Sequence, residues 1–117
     1  MFRCYSTVIG SGDIYEYSDI MEVYVIRHTR LVNEEQRCYG RTELELADRF
    51  EEQVAILKQL IPAQLDQVYT SPSLRCLTLA QTFRKDPIAE ERLYELHFGT
   101  WEGLAWSAIN QEELTAW

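Results

Sequence analysis

A histidine and an arginine stand side by side at the end of the first strand-like segment that we find in the chain. Arg27-His28-Thr29 directly follows residues 22–26, which are rich in Val, Ile and Tyr. In open parallel sheets, ligands bind just outside the carboxyl ends of the strands. A neutral imidazole at such a place could act as a nucleophile, and the guanidinium beside it could bind an anion. The alternative interpretation is a histidine that only closes the end of a strand.

A second arginine lies at the start of a predicted helix. Residues 66–70 are typical of a short strand, and Ser71-Pro72 has the form of an N-cap followed by proline at the first helical position. The free N–H groups at a helix N-terminus attract an anion, and Arg75 in the first turn would add a bidentate donor. The alternative is an ordinary capped helix with a solvated arginine.

A carboxylate occurs in an aromatic loop that contains several glycines. Glu95 stands among Leu, Tyr, Phe and Trp side chains in residues 93–103. A carboxyl group in such surroundings is expected to be partly desolvated, which favours its protonated form and suits a general acid. Glu102 is a rival for the acid role, and it could instead brace the arginines. The alternative for Glu95 is an exposed loop glutamate.

Alternating strands and helices are predicted to position these three segments. Apolar residues recur at three- and four-residue steps from Leu46 to Ile61, which predicts a helix that Pro62 ends. The expected order is a strand at 22–26 buried on both faces, a loop at 31–43, a helix at 46–61, a strand at 66–70, a helix from 71 to near 83 that buries Leu74, Leu77 and Ala80, a short strand within 88–96, and a last helix from 104 towards 117. This alternation predicts a layered α/β fold.

The composition fits one globular domain. The chain has 117 residues, 46% of them hydrophobic, and its 11 basic and 19 acidic residues give a net charge of −8. This balance disfavours binding to nucleic acid or to an anionic membrane, because both need a basic face. The three cysteines, Cys4, Cys38 and Cys76, are widely spaced, which favours a reducing cytoplasm over a disulfide framework. We expect no zinc site, no signal peptide and no membrane span.

The first twenty residues differ from the rest. Residues 1–20 show neither helical nor strand periodicity and contain Gly10-Ser11-Gly12-Asp13. We expect them to be a disordered leader, or a spurious extension upstream of a true start at Met21.

Together the three segments resemble the histidine phosphatase superfamily, also called phosphoglycerate mutase-like. The resemblance rests on the order and spacing of Arg27-His28-Thr29, Ser71-Pro72-Ser73-Leu74-Arg75-Cys76 and residues 95–103, and it covers residues 21–117. It implies a layered α/β/α fold with a mostly parallel sheet, truncated here to the N-terminal half of the phosphatase domain.

The resemblance also implies a mechanism. Neutral His28 would attack phosphorus in line and form a phosphohistidine. Arg27 and Arg75 would hold the phosphoryl oxygens, and Glu95 would protonate the leaving alkoxide before activating the hydrolytic water. Arg41 is a further candidate for contact with phosphate or substrate. The partner would be a small phosphate monoester, and neither a metal nor another cofactor is implied.

Within the family, the Arg-His-Thr-Arg start and Cys38-Tyr39-Gly40-Arg41-Thr42 resemble α-ribazole phosphatase of cobalamin biosynthesis. Thr29 supports that branch, whereas Glu34 stands where mutases usually have asparagine. A phosphoglycerate mutase-like enzyme, a broad-specificity phosphatase and an inactive module that binds phosphorylated ligands are the alternatives.

The family's second catalytic histidine has no counterpart, because no histidine follows His97. His97 falls at a variable position of its motif and is expected to be an ordinary loop side chain. We therefore expect the 117-residue chain alone to show little activity and to aggregate, because an incomplete sheet exposes apolar faces and an unpaired edge.

Overall fold

The computed structural model describes residues 21–116 and the backbone of residues 2–4. The chain forms strands β1 (Phe2–Cys4) and β2 (Met21–Val23), helix α1 (Phe50–Leu60), strand β3 (Tyr69–Thr70), helix α2 (Leu74–Gln81), strand β4 (Ile88–Ala89) and helix α3 (Gln111–Ala116). Short 3-10 helices lie at Glu91–Leu93, Gly99–Trp101 and Trp106–Ala108.

Strands β3 and β4 form a parallel pair, which confirms the predicted α/β fold. Tyr69 lies opposite Ile88 and Thr70 opposite Ala89. Parallel strands need a crossover connection, and α2 supplies it and contacts β3. The carboxyl end of β3 therefore leads directly into the segment that carries Arg75.

The first predicted strand is shorter and more exposed than expected. We predicted a strand at 22–26 buried on both faces, whereas β2 ends at Val23 and all of its residues are exposed. Burial on both faces requires neighbouring strands and covering helices, and in the part of the chain that the structure describes β2 pairs only with β1, in antiparallel fashion. Strand β1 lies within the predicted leader, and residues 5–20 of that leader fall outside the described residues.

Helix α1 begins at Phe50, four residues later than the predicted Leu46. Leu46 instead pairs with Leu31 in an antiparallel bridge. The N–H of Val32 donates to Glu45 O at 2.9 Å, and the N–H of Ala47 donates to Arg30 O at 3.1 Å. This short ladder closes the loop that follows His28, and it takes Leu46 out of the helix.

The buried face of α1 agrees with the predicted pattern. Val54 within the helix and Ile61, the residue after its last one, are buried. Ile56 and Leu60, which lie off the predicted face, are 58% and 66% exposed.

Helix α2 begins at Leu74, with Ser73 rather than the predicted Ser71 as its N-cap. Ser71 Oγ instead accepts from the N–H of Ser73 at 3.3 Å, so the serines and Pro72 form a turn ahead of the helix. Leu74 was expected on the buried side and is 63% exposed, whereas Arg75 and Leu79 are buried. The helix is turned this way because the Arg75 guanidinium bonds to the backbone of the loop described below.

The last helix is also shorter than predicted. We expected a helix from residue 104 onwards, but α3 begins at Gln111. The residues before it pair with the loop after His28: the N–H of Cys38 donates to Leu104 O at 2.7 Å, and the N–H of Gly103 donates to Cys38 O at 2.8 Å. This pairing holds residues 103–105 outside any helix. No helix in residues 21–116 combines the length and the hydrophobicity that crossing a bilayer requires.

Candidate active site

The loop of residues 39–43 joins the three segments that the sequence singled out. It follows the His28 segment in the chain, and it bonds to the start of α2 and to residues 95–102. The individual contacts define what each candidate residue can do.

His28 is half-buried and held in one tautomer. Its Nδ1 lies 2.7 Å from Thr29 O. Because a carbonyl oxygen only accepts hydrogen bonds, Nδ1 must carry the proton of the neutral ring. The lone pair of the neutral imidazole is then on Nε2, which is the state that a nucleophilic histidine requires.

The ring of Tyr39 links His28 to Arg75. The Tyr39 and His28 rings have centroids 6.4 Å apart and are tilted by 59°. Arg75 Cζ lies 5.4 Å from the centroid of the Tyr39 ring. The predicted nucleophile and the predicted anion-binding arginine therefore lie against the same aromatic side chain.

Arg75 is buried, with 3% of its surface exposed, and it holds the backbone of the loop. Nη2 donates to Gly40 O at 2.5 Å, and Nη1 donates to Thr42 O at 3.1 Å. Each bond uses one of the two N–H groups on its terminal nitrogen, so the guanidinium holds the loop and its predicted bidentate grip on phosphate stays a prediction. Nε remains as a donor on this side chain without a hydrogen-bond partner.

The N-terminus of α2, predicted to attract an anion, is occupied by a carboxylate of the protein. Glu43 Oε1 accepts from the N–H of Leu74 at 2.9 Å, and Glu43 Oε2 lies 3.8 Å from Arg75 Nη1. A negative charge at a helix N-terminus is favourable, whether it belongs to a ligand or to the protein. The charge belongs to Glu43, which sequence reasoning did not single out.

Glu102 is the most heavily bonded carboxylate in the site. Its oxygens accept from the N–H groups of Gly40, Arg41, Thr42 and Phe98 at 2.9–3.2 Å, and from the Thr42 hydroxyl. Burial alone would raise the pKa of Glu102, but the bonds from the Thr42 hydroxyl and these N–H groups outweigh it and hold the pKa well below its usual range. Glu102 is therefore an anion that only accepts, which argues against its rival role as the general acid. Its partners are backbone N–H groups and the Thr42 hydroxyl, so it braces the loop and not, as expected, the arginine side chains.

Gly40 is required by the close approach of two backbone segments. A Cβ at this position would lie 1.9 Å from Leu96 O and 2.9 Å from Glu102 Oε1. Any side chain here would push the loop away from residues 96–102.

Arg41 and Glu95 are neighbours through the backbone of Glu95. Arg41 Nε donates to Glu95 O at 3.3 Å, and Arg41 Cζ lies 5.0 Å from the centroid of the Tyr94 ring. The carboxylate of Glu95 accepts from the N–H of Leu96 at 3.0 Å, and the residue is exposed. The expected desolvation of Glu95 is wrong: the segment is open to solvent at this point, and the exposed-loop alternative describes its surroundings.

Arg27 is not brought into this network. Its side chain is exposed and, among the residues that the structure describes, its guanidinium has no hydrogen bond or ion pair. His97 is exposed, and its Nδ1 accepts from the N–H of Gly99 at 2.9 Å, in agreement with a loop role. The described residues contain no group of three or more His, Cys, Asp or Glu arranged to hold a metal ion.

Comparison with known proteins identifies the family. The model of the histidine phosphatase superfamily (branch 1) matches residues 23–117. The chain belongs to the histidine phosphatase superfamily. A comparison with curated proteins gives no match.

Several solved structures are similar in fold. YhfR of Bacillus stearothermophilus is 34% identical with a TM-score of 0.65, covering 77% of this chain and 48% of that one. A phosphoglycerate mutase from Thermus thermophilus is 28% identical with a TM-score of 0.60, and the match covers 77% of this chain and 52% of that one. A phosphoserine phosphatase from Entamoeba histolytica, in complex with 3-phosphoglyceric acid, is 32% identical with a TM-score of 0.57. The match covers 75% of this chain and 44% of that one. The chain spans about half the length of these structures.

Sequence reasoning missed Tyr39, Glu43 and the backbone of residues 40–42. The only signal in the sequence was Gly40 itself, since glycine is the residue that permits a close approach of backbone segments. Nothing in the sequence alone indicated that Glu102 would reach back to that loop.

Proposed function

We propose that the chain carries the nucleophile half of a phosphomonoester hydrolase that works through a phosphohistidine on His28. The observation that carries the proposal is the hydrogen bond of His28 Nδ1 to Thr29 O at 2.7 Å, which leaves Nε2 as the free nucleophile. Membership of the histidine phosphatase superfamily supports the same reaction class.

Two buried donors without partners are candidates for binding the phosphoryl group. Within residues 21–116, Thr29 Oγ1 and Arg75 Nε are the buried side-chain polar atoms that lack a hydrogen-bond partner. Leaving a buried donor unpaired costs about 1–3 kcal/mol. An oxyanion of a phosphoryl group could accept from both, and exposed Arg27 next to His28 would add charge from the solvent side.

In the proposed first step, His28 Nε2 forms a bond to phosphorus as the P–O bond of the ester breaks. The electron pair leaves with the alkoxide, and Glu95 supplies the proton that the alkoxide needs. In the second step Glu95 accepts a proton from water, and the water oxygen displaces the imidazole. We propose Arg41, whose Nε bonds to the backbone carbonyl of Glu95, as the residue that contacts the leaving group.

For the substrate we propose α-ribazole 5′-phosphate, on the Arg-His-Thr-Arg start and Cys38-Tyr39-Gly40-Arg41-Thr42. The similar structures include a phosphoglycerate mutase and a phosphoserine phosphatase, so 3-phosphoglycerate and phosphoserine are the competing substrates. Cys38 and Cys76 are free thiols, which supports a reducing cytoplasm as the proposed location.

The proposal is tested with p-nitrophenyl phosphate, whose leaving group needs no proton. We expect a burst approaching one equivalent of nitrophenolate per chain, followed by slow turnover, with the phosphoryl group recovered on a His28 peptide after rapid denaturation. His28→Ala must abolish the phosphopeptide, and His97→Ala is the matched control that must retain it. Absence of phosphohistidine from the folded wild-type chain would refute the proposal.

The second candidate is a module that binds phosphorylated ligands without turnover. The exposed carboxylate of Glu95 favours it. Saturable binding of inorganic phosphate without any phosphohistidine would establish this candidate in place of the first.

A further inference from the structure

The loop next to His28 is held from both sides by opposite charges. The N–H groups of Gly40, Arg41 and Thr42 donate to the carboxylate of Glu102. The carbonyl oxygens of Gly40 and Thr42 accept from the guanidinium of Arg75. Donors and acceptors of the same short segment are thus bound to separate charged groups, and the segment has little freedom to move.

Only an ionised carboxylate can satisfy this arrangement from the Glu102 side. Every partner that approaches its oxygens is an N–H group or the Thr42 hydroxyl. A glutamine would direct its own NH₂ group at some of those donors and would leave them unpaired.

The constraint on residues 40–42 extends to the histidine through Tyr39. Tyr39 is covalently next to Gly40, and its half-buried ring lies 6.4 Å from the His28 ring. Arg75 Cζ lies on the same ring at 5.4 Å. A displacement of Gly40 would therefore move the aromatic surface against which the imidazole rests.

We propose that Glu102 is a positioning residue for His28, acting through the backbone of residues 40–42 and the ring of Tyr39. The consequence for phosphoryl transfer rests on the proposed function, whereas the geometric part does not. Displacement of a reacting group by about 1 Å can slow a step by on the order of a hundredfold. We expect Glu102→Gln to slow phosphohistidine formation by roughly tenfold to a hundredfold.

The test follows two signals in each variant of the full 117-residue chain. One is the rate at which p-nitrophenyl phosphate labels His28. The other is the nuclear Overhauser effect between the ring protons of His28 and Tyr39. All rates are compared under conditions in which each variant is folded by circular dichroism.

Three controls separate positioning from general destabilisation. Glu52→Gln removes a carboxylate that is 61% exposed on α1 and should change neither signal. Val54→Ala destabilises the buried face of α1 and should leave both signals intact while the protein is folded. Thr42→Val removes the hydroxyl donor to Glu102 and should reduce both signals, whereas Thr42→Ser should restore them.

Loss of the Overhauser effect together with slower labelling in Glu102→Gln supports the inference. If the wild type is labelled and Glu102→Gln shows the same labelling rate and the same Overhauser effect, the inference is overturned while the proposed function stands. If the wild type forms no phosphohistidine, the proposed function fails. The Overhauser effect then tests the positioning of His28 by itself, and its retention in Glu102→Gln overturns the inference. An equal loss of rate in Val54→Ala would likewise overturn it.

Discussion

Replacing Gly40 by alanine tests the packing on which the site depends. The new Cβ would lie 1.9 Å from Leu96 O and 2.8 Å from Phe98 Cδ2, where ordinary contact begins at 3.4 Å. The obstacle at 1.9 Å is a backbone oxygen, so the two segments must separate by about 1.5 Å to reach ordinary contact. Overpacking of this kind usually costs about 1–3 kcal/mol. That separation also breaks the N–H bond from Gly40 to Glu102, which adds about 1.5–3 kcal/mol for a bond to a charged acceptor.

We therefore expect Gly40→Ala to lower the free energy of unfolding by about 3–5 kcal/mol. Gly99→Ala is the matched control: its Cβ meets nothing within 4 Å, but its φ of +59° costs a non-glycine residue about 1–2 kcal/mol. Urea unfolding followed by tryptophan fluorescence measures both. A Gly40→Ala variant no less stable than Gly99→Ala would refute the account of the loop.

Further predictions concern charge and thiol chemistry. The pKa of Glu102 is lowered in the folded chain from an ordinary value near 4.3, so its stabilisation is complete above that value and is lost as pH falls through the folded pKa. The difference in unfolding free energy between wild type and Glu102→Gln should be constant above about pH 5 and should shrink below about pH 4, and a difference that grows in acid would contradict this. Arg75→Lys should destabilise the chain by about 1.5–3 kcal/mol in urea unfolding, because an ammonium cannot bond both carbonyls as the guanidinium fork does. Burial, and then the charge of Glu102, raise the pKa of the fully buried Cys38 thiol. Iodoacetamide at pH 8 should therefore label Cys76 at least roughly tenfold faster than Cys38, as followed by peptide mass spectrometry. Equal labelling rates for the two thiols would count against this packing.

The predictable parts of the fold were those set by local patterns. The three- and four-residue spacing placed the buried face of α1, and Ser71-Pro72 marked the start of α2 to within two residues. The errors arose where distant backbone competes with local preference. Leu46 left its predicted helix to pair with Leu31, and the pairing of Cys38 with residues 103–104 delayed α3.

The candidate site shows the same division. His28 was singled out at the end of a predicted strand, although β2 ends at Val23, and Arg75 at the start of a predicted helix; both lie against Tyr39. The contacts that sequence reasoning did not find join residues far apart in sequence: Arg75 holds carbonyl groups more than thirty residues away, and Glu102 holds a loop about sixty residues away. Such contacts follow from the packing of whole segments, which no local pattern records.

The position of phosphate on the imidazole ring tests the central claim most directly. We would label the 117-residue chain with p-nitrophenyl phosphate, denature it in alkali, which preserves phosphohistidine, and compare its ³¹P resonance with standards of the two phosphohistidine isomers. The hydrogen bond of Nδ1 to Thr29 O predicts phosphate on Nε2 of His28. Phosphate on Nδ1, or no phosphohistidine at all, would contradict the account.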